Sequence, residues 1–273
     1  MNNNDSQSAA IRLEQVSFAW GDKPVLRDLD LSIPAGRVTA VMGPSGCGKT
    51  TVLRLITGQQ IADRGRVLVG KIDVGQLKPR ELNHLRRNIG VLLQNGALFT
   101  DLTCFDNVAL PLREHTPLPE PIIRRLVLLK LQTVGLRGAA DMYPRELSGG
   151  MNRRVAMARA MALDPDIMLY DEPFAGLHPI SMGTGLRLIR DINRALGITS
   201  IVITHDVDEV VQFADYCCLI SEGRVVAKGA PEDLAESEDE TVRQFMQGLA
   251  DGPVPFHFPA RPLDQDLLDS GAR

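Results

Sequence analysis

The chain is predicted to fold as a doubly wound α/β domain, and three observations carry that expectation. A short apolar stretch, Arg37 to Met42, runs straight into the glycine-rich loop Gly43-Pro44-Ser45-Gly46-Cys47-Gly48-Lys49-Thr50, and helical spacing follows from Thr50 to Thr57. Two continuous apolar runs, Ile167 to Tyr170 and Ser200 to Thr204, have the character of parallel strands buried on both faces. Between the loop and those runs, from about 101 to 163, the pattern turns helical, as an inserted helical subdomain would.

The remaining elements follow in order. Residues 11–18 alternate through Ile11 and Leu13, then Val16 and Phe18, as a half-exposed strand does. Residues 25–33 alternate again through Leu29, Leu31 and Ile33, and Pro34-Ala35-Gly36 makes a turn. In the helix after the loop, Leu53 and Ile56 share a face and Gly58 closes the C-terminal end. Residues 62–93 mix turn signals at Asp63, Gly65 and Gly70 with the basic pair Arg86-Arg87 and a further strand over Ile89 to Leu93. Ile122, Leu126, Leu129 and Val134 recur near helical spacing over 121–134, as part of the inserted helical subdomain. The organisation read from this is a flexible N-terminus at 1–10, one domain at 11–250 and a Pro-rich C-terminal extension at 251–273.

Bulk properties narrow the function. With 273 residues the chain can bury a substantial core, and 44% apolar with 23% charged residues is an ordinary soluble composition. A net charge of -4 offers no basic excess for neutralising phosphates, so no nucleic-acid partner is expected. The first ten residues are polar and unlike a signal peptide, and no apolar run approaches the ~18 residues that span a bilayer. Any membrane role therefore needs a spanning partner. Cys47, Cys104, Cys217 and Cys218 form no CxxC pair, and Cys217-Cys218 sits in an apolar run as small core residues. The cytoplasm is the default compartment.

The glycine loop fits G-x-x-x-x-G-K-[ST] in full and has the strand before and helix after that a phosphate-binding loop requires. Without a Cβ to block approach, the glycines let backbone N–H groups converge on phosphate oxygens, and the helix N-terminus adds partial positive charge. Lys49 supplies a point charge to the β- and γ-phosphates of ATP, the Thr50 hydroxyl is a ligand for Mg²⁺, and Thr51 can donate to a phosphate oxygen. Asp171, at the end of an apolar run, is placed to meet the same Mg²⁺. Glu172 follows on the far side of the γ-phosphate, where it can polarise or position the attacking water. Alone, an Asp-Glu pair after a strand is often only a solvated strand end; its company with the loop favours catalysis.

At this point the chain resembles the ATP-binding-cassette (ABC) family of nucleotide-binding domains, over residues 11–245. The resemblance implies a P-loop NTPase fold with a RecA-like core, an antiparallel β subdomain and an inserted α-helical subdomain. It implies that Gln94, after Val91-Leu92-Leu93, links the γ-phosphate and Mg²⁺ to a transmembrane partner. His205, in Ile203-Thr204-His205-Asp206, matches the histidine that contacts the γ-phosphate. Trp20 is the candidate ring for stacking on adenine, though it could equally be a hairpin-packing aromatic. Leu147-Ser148-Gly149-Gly150 matches the family signature, and a serine opening a helix is a second anion site. Because the chain already has one such site in its own loop, Ser148, Gly149 and Gly150 are useful closing over the nucleotide of another copy. A head-to-tail homodimer that sandwiches two ATPs is therefore expected, with loss of the γ-phosphate releasing the halves.

Two positions depart from the family pattern. Met151 stands where the signature usually ends in Gln, and His178, in Ala175-Gly176-Leu177-His178-Pro179, stands where Asp is usual. His178 is read either as a change in how the two sites communicate or as drift at a tolerant position. Met151, Asp171-Glu172-Pro173-Phe174 and the ending Asp251-Gly252-Pro253-Val254-Pro255-Phe256 resemble one branch, the ATPases of phospholipid-asymmetry (Mla) transporters of Gram-negative envelopes. That resemblance implies a translocase subunit peripheral to the cytoplasmic face of the inner membrane. Its expected partners are an MlaE-like permease, an MlaB-like STAS-domain protein and an MlaD-like MCE-domain protein. Pro253, Pro255, Pro259 and Pro262 favour an extended arm with Phe256 and Phe258 as anchors for a neighbouring subunit; a disordered tail is the other reading. The ATPase of another importer, for amino acids or other small solutes, stays as the alternative. A repair or translation ATPase is disfavoured, because the chain carries one cassette, no heptad arm and no cysteine cluster.

Overall fold

The computed structural model describes residues 9–207 and 212–253 together with 262 and 265, and of Pro179 the backbone alone. The expected tail anchors Phe256 and Phe258 and residues 1–8 of the expected flexible N-terminus lie outside the described residues.

Strands β1 (Ala9–Trp20) and β2 (Lys23–Pro34) form a long antiparallel hairpin. Their buried faces meet side chain against side chain: Ile11 lies opposite Ile33, Leu13 opposite Leu31, Val16 opposite Leu29 and Phe18 opposite Leu26. The alternation skips a position between Leu13 and Val16 because Gln15 sits at φ 50° in a bulge, which returns the next apolar residues to the core face. Strand β3 (Val38–Met42) comes next in the chain but belongs to a different sheet. Strand β4 (Arg64–Val69) pairs with β1, and β5 (Ile72–Asp73) with β4, giving a four-stranded antiparallel sheet of order β2-β1-β4-β5. The turn-rich sequence hides β4, whose first three residues are exposed and carry no apolar alternation.

The second sheet has six strands among the described residues. Besides β3 it holds β6 (Ile89–Leu92), β7 (Ile167–Asp171), β8 (Thr199–Ile203), β9 (Tyr216–Ser221) and β10 (Arg224–Gly229), in the order β10-β9-β3-β8-β7-β6. All neighbours pair in parallel except the β9–β10 edge hairpin. Strand β3 is buried along its whole length, with Val38, Ala40 and Met42 entering one core and Val41 the other. Burial on both faces is why such strands read as continuous apolar runs.

One core lies between this sheet and helices α3 (Cys104–His115), α4 (Glu120–Thr133), α5 (Gly149–Ala160) and α6 (Pro179–Leu196). The other joins the opposite face to α1 (Lys49–Ile56) and the antiparallel sheet. A further helix, α2 (Pro79–Arg87), precedes β6. All four cysteines are free and buried, Cys217 and Cys218 on opposite faces of β9. Among the described residues, no helix is long and apolar enough to cross a membrane.

Helix α4 forms, and only part of its apolar spacing faces the core. Ile123, Val127 and Leu131 are buried with Val134, whereas Ile122 and Leu126 are half-buried and Leu129 is 62% exposed. The helix carries two overlapping apolar stripes, and packing against α3 and α5 selects the one rotated by a residue. Leu131→Ala is expected to cost about 2–5 kcal/mol in urea unfolding, the usual range for emptying a core leucine site. Leu129→Ala should stay within about 0.5 kcal/mol of the parent.

Candidate functional site

The order of the parallel sheet decides which side chains meet. Strands β6, β7, β8 and β3 are successive neighbours with aligned C-terminal ends. The segments leaving those ends carry Gln94, Asp171-Glu172, His205 and the glycine loop respectively. Ligands of open α/β sheets bind at such carboxyl edges.

The loop is shaped by close approach. Gly43 has φ 147°, and a Cβ there would stand 2.1 Å from the Ile220 carbonyl oxygen and 2.7 Å from the Cys47 sulfur. Gly48, at φ 109°, caps α1 in the left-handed region, and a Cβ there would press on Leu26 at 2.6 Å. No side chain caps α1, so its first N–H groups point into the loop. The Lys49 ammonium is buried and donates to the carbonyls of Gly43 (2.6 Å) and Pro44 (3.0 Å), which holds it inside the ring of the loop. Ser45 and Gly46 form the exposed rim, and Thr51 is buried behind the loop.

Thr50 Oγ1 donates to Asp171 Oδ1 at 3.4 Å, joining the loop to the end of β7. Burial pushes the Asp171 carboxyl up from its ordinary range and the neighbouring Glu172 charge adds to this; Thr50, Lys49 and Arg54 pull the other way. Glu172 sits at φ 43°, fixed by its N–H donating to the Ile203 carbonyl at 3.0 Å. Its carboxylate accepts from Gln94 Nε2 at 3.4 Å and lies 3.3 Å from His205 Nδ1. Gln94, Glu172 and His205 thus form one row beside the Thr50–Asp171 pair. A cavity of about 200 Å³ opens next to the row, bounded by Glu172, His205, Phe174 and Leu186.

No group of three or more His, Cys, Asp or Glu with metal-holding geometry occurs among the described residues. Mg²⁺ does not need one: it keeps several waters and takes one or two protein oxygens with phosphate oxygens. The Thr50 hydroxyl and Asp171 carboxylate, with the Gln94 amide nearby, supply that kind of donor set.

Trp20 is 42% exposed, stands edge-on to Phe18 at 5.0 Å, and has the Arg54 guanidinium 5.6 Å from its ring centre. Trp20 therefore packs on the hairpin against Phe18 and beside Arg54 of α1, and is partly exposed. Ser148 caps α5, its hydroxyl accepting from the Met151 N–H at 3.3 Å. Ser148 and Gly149 are exposed, and Cβ atoms built on Gly149 and Gly150 would come 3.6 Å from Leu177 and Ser181. No hydrogen bond joins Ser148–Gly150 to this chain's own glycine loop among the described residues. Met151 packs on the helical core. His178 has a local task, since its Nδ1 accepts from the Ile180 N–H at 3.4 Å and caps α6, as an Asp would.

The carbonyl contacts of three arginines were not evident from the sequence. Arg153 donates to the Glu172, Pro173 and Ala175 carbonyls. Arg159 donates to the Gly96 and Ala97 carbonyls beyond Gln94, and Arg86 to the Thr57 and Gly58 carbonyls that end α1. Carbonyl acceptors are invisible in a sequence, so no residue pattern announces these contacts.

Residues 26–175 match the family model described as ABC transporter. The chain is 51% identical to the intermembrane phospholipid transport system ATP-binding protein MlaF of Haemophilus influenzae, over 95% of this chain and 98% of that protein. Identity to the Escherichia coli K12 protein of the same name is 48%, over 94% and 96%. Among solved structures it is similar to the dimeric, post-hydrolysis ATP-binding cassette MJ0796 bound to ADP and Pi. That match has a TM-score of 0.74 and 30% identity, covering 81% of this chain and 98% of that one.

Asp171→Asn tests the electrostatics. A carboxyl held above its ordinary range destabilises the fold where it is ionised, and that penalty disappears as pH falls through the raised value. The variant should therefore raise the melting temperature of ligand-free protein at pH 7, with the gain vanishing below about pH 4, where the unfolded carboxyl is protonated too. ATP hydrolysis should fall at least about 100-fold, read by phosphate release.

Proposed function

We propose, from the premise that this chain belongs to the ABC transporter family, that it is the ATPase subunit of an inner-membrane system moving phospholipids between the inner and outer membranes. The chain is an ATP-binding, ATP-hydrolysing transporter subunit that works as a dimer in a transporter complex. The lipid substrate is supported by the likeness to MlaF proteins, which runs almost end to end in both chains. The hydrolytic reading of the site is carried by one juxtaposition: the Glu172 carboxylate between Gln94 and His205, beside the Thr50–Asp171 pair.

In this reading Gly43 to Thr51 cradle the phosphates through backbone N–H groups, with Lys49 exchanging its loop carbonyls for β- and γ-phosphate oxygens. Thr50, Asp171 and Gln94 would hold Mg²⁺, which when bound supplies charge neutralisation for the β- and γ-oxygens. Glu172 orients and polarises the attacking water, and His205 contacts the γ-phosphate from the other side of the carboxylate. Trp20 stacks on adenine. Ser148, Gly149 and Gly150 of a second copy close the site, a role supported by the exposure of Ser148 and Gly149.

The partners follow the same reading. An MlaE-like permease would dock in the groove of about 680 Å³ lined by Arg86, Arg87, Phe99, Pro111 and Arg159, where Gln94's loop is held. MlaB-like and MlaD-like proteins complete the complex on the cytoplasmic face and beyond. Residues 11–250 act as one cassette with a helical subdomain at about 101–163, and 251–273 as an assembly arm.

Affinity purification from membranes should recover a permease with STAS- and MCE-domain proteins; recovery with a solute-binding lipoprotein instead would favour the small-solute importer. Glu172→Gln should bind ATP, accumulate as an ATP-locked dimer on size exclusion and hydrolyse at least about 100-fold more slowly. Deleting 251–273 should reduce recovery of partner subunits while leaving nucleotide binding intact.

A further inference from the structure

The turn that carries Glu172 is held by an arginine from a different element. Arg153 lies in α5, five residues after Ser148 opens that helix. One end of its guanidinium donates to the Glu172 carbonyl at 3.3 Å and to the Pro173 carbonyl, and the other to the Ala175 carbonyl at 3.1 Å. No carboxylate pairs with Arg153 among the described residues, so its hydrogen bonds are spent on this one turn. Burial lowers its pKa, as expected of a guanidinium drawn from water by the contacts it makes.

The turn needs holding. Glu172 is a non-glycine residue at φ 43°, a conformation that persists only where surrounding contacts over-determine it. From below, the strand supplies one constraint, the Glu172 N–H to the Ile203 carbonyl. From the side, Arg153 supplies three. The same segment continues through Leu177 to the start of α6, and Leu177 and Ser181 lie against Gly149 and Gly150. The helix end that closes on a second copy's nucleotide and the carboxylate of this copy's own site are thus joined through one side chain.

We propose that Arg153 is a positioning residue for hydrolysis: by gathering the carbonyls of Glu172, Pro173 and Ala175, it makes the placement of the Glu172 carboxylate depend on where the helix opened by Ser148 sits. The proposal rests on Glu172 being the catalytic carboxylate. Lysine cannot reproduce it fully, because a compact ammonium does not span carbonyls as a planar fork does. Small misplacements of a catalytic group cost up to about 100-fold in rate, which sets the expected scale.

The test uses the full chain in the complex purified from membranes, with steady-state ATP hydrolysis as the readout. R153Q is expected to lower kcat about 10- to 100-fold with KM for ATP within about twofold, and R153K to fall between it and the parent. In the double variant R153Q with Glu172→Gln, kcat should be no lower than in Glu172→Gln alone, because Arg153 acts through that carboxylate. A general packing defect would instead raise KM, or lower the rate of the Glu172→Gln protein further. Parental kcat in R153Q, or losses that multiply in the double variant, overturns the proposal while leaving the Glu172 assignment standing. Full-rate hydrolysis by Glu172→Gln overturns that assignment and the proposal with it. If R153Q does not purify folded, R153K decides alone: a kcat loss of about 3- to 10-fold at unchanged KM supports the proposal, and parental kinetics overturns it.

Discussion

The pairing of Val38–Met42 between Thr199–Ile203 on one side and Tyr216–Ser221 on the other is the constraint from which the rest of the site follows. Parallel register aligns strand ends, so the loop after β3, the His205 segment after β8 and the Asp171-Glu172 turn after β7 emerge side by side. Burial on both faces leaves β3 no alternative register, because a slip of one residue would exchange Val41 with Ala40 and Met42 between two cores of different shape. Gly43 then leaves the strand so close to Ile220 that no Cβ fits, which aims the loop back over the sheet edge.

Charge is concentrated at that edge against its own preference. Asp171 and Glu172 are adjacent, half-buried carboxylates, and the Lys49 ammonium is turned toward loop carbonyls. Such an arrangement is costly for a protein that only has to fold, and it suits one that receives a polyphosphate and a divalent cation. Arginines, half-buried at 153 and 159 and exposed at 86, hold the surrounding loops through their carbonyls. Arg153 fixes the turn at Glu172, Arg159 the loop beyond Gln94, and Arg86 the end of the helix whose other end forms the phosphate site. Each guanidinium joins two elements distant in sequence, so the loops are tied to the helices that carry the arginines.

Much of this was legible in the residues. The glycine loop marks the strand–loop–helix around Lys49, strand-length apolar runs mark 167–170 and 200–204, and alternation marks the two strands within 11–33. Strand β4 was not, because half of it is solvent-exposed and flanked by turn residues, and β10 was not, because it is an edge strand with no fully buried residue. In α4 the apolar residues suffice for two stripes, and the neighbours choose between them. The local role of His178 was hidden for another reason: an imidazole nitrogen can replace a carboxylate oxygen as a helix cap, which residue type alone does not announce.

By itself the sequence determined the chemistry carried and its order along the chain: a phosphate loop, an amide, a helix-opening serine, a carboxylate pair and a histidine. Those depend on residue type and local spacing, which the chain states outright. Only the tertiary structure decided that Gln94, Glu172 and His205 stand in one row, that Thr50 reaches Asp171, and that Ser148 is exposed at the opening of its helix. It also decided that Arg153, and not another of the chain's arginines, holds the Glu172 turn. These outcomes depend on which strands lie side by side and on backbone carbonyls as acceptors. Every residue offers the same carbonyl, so only the fold selects which of them an arginine finds.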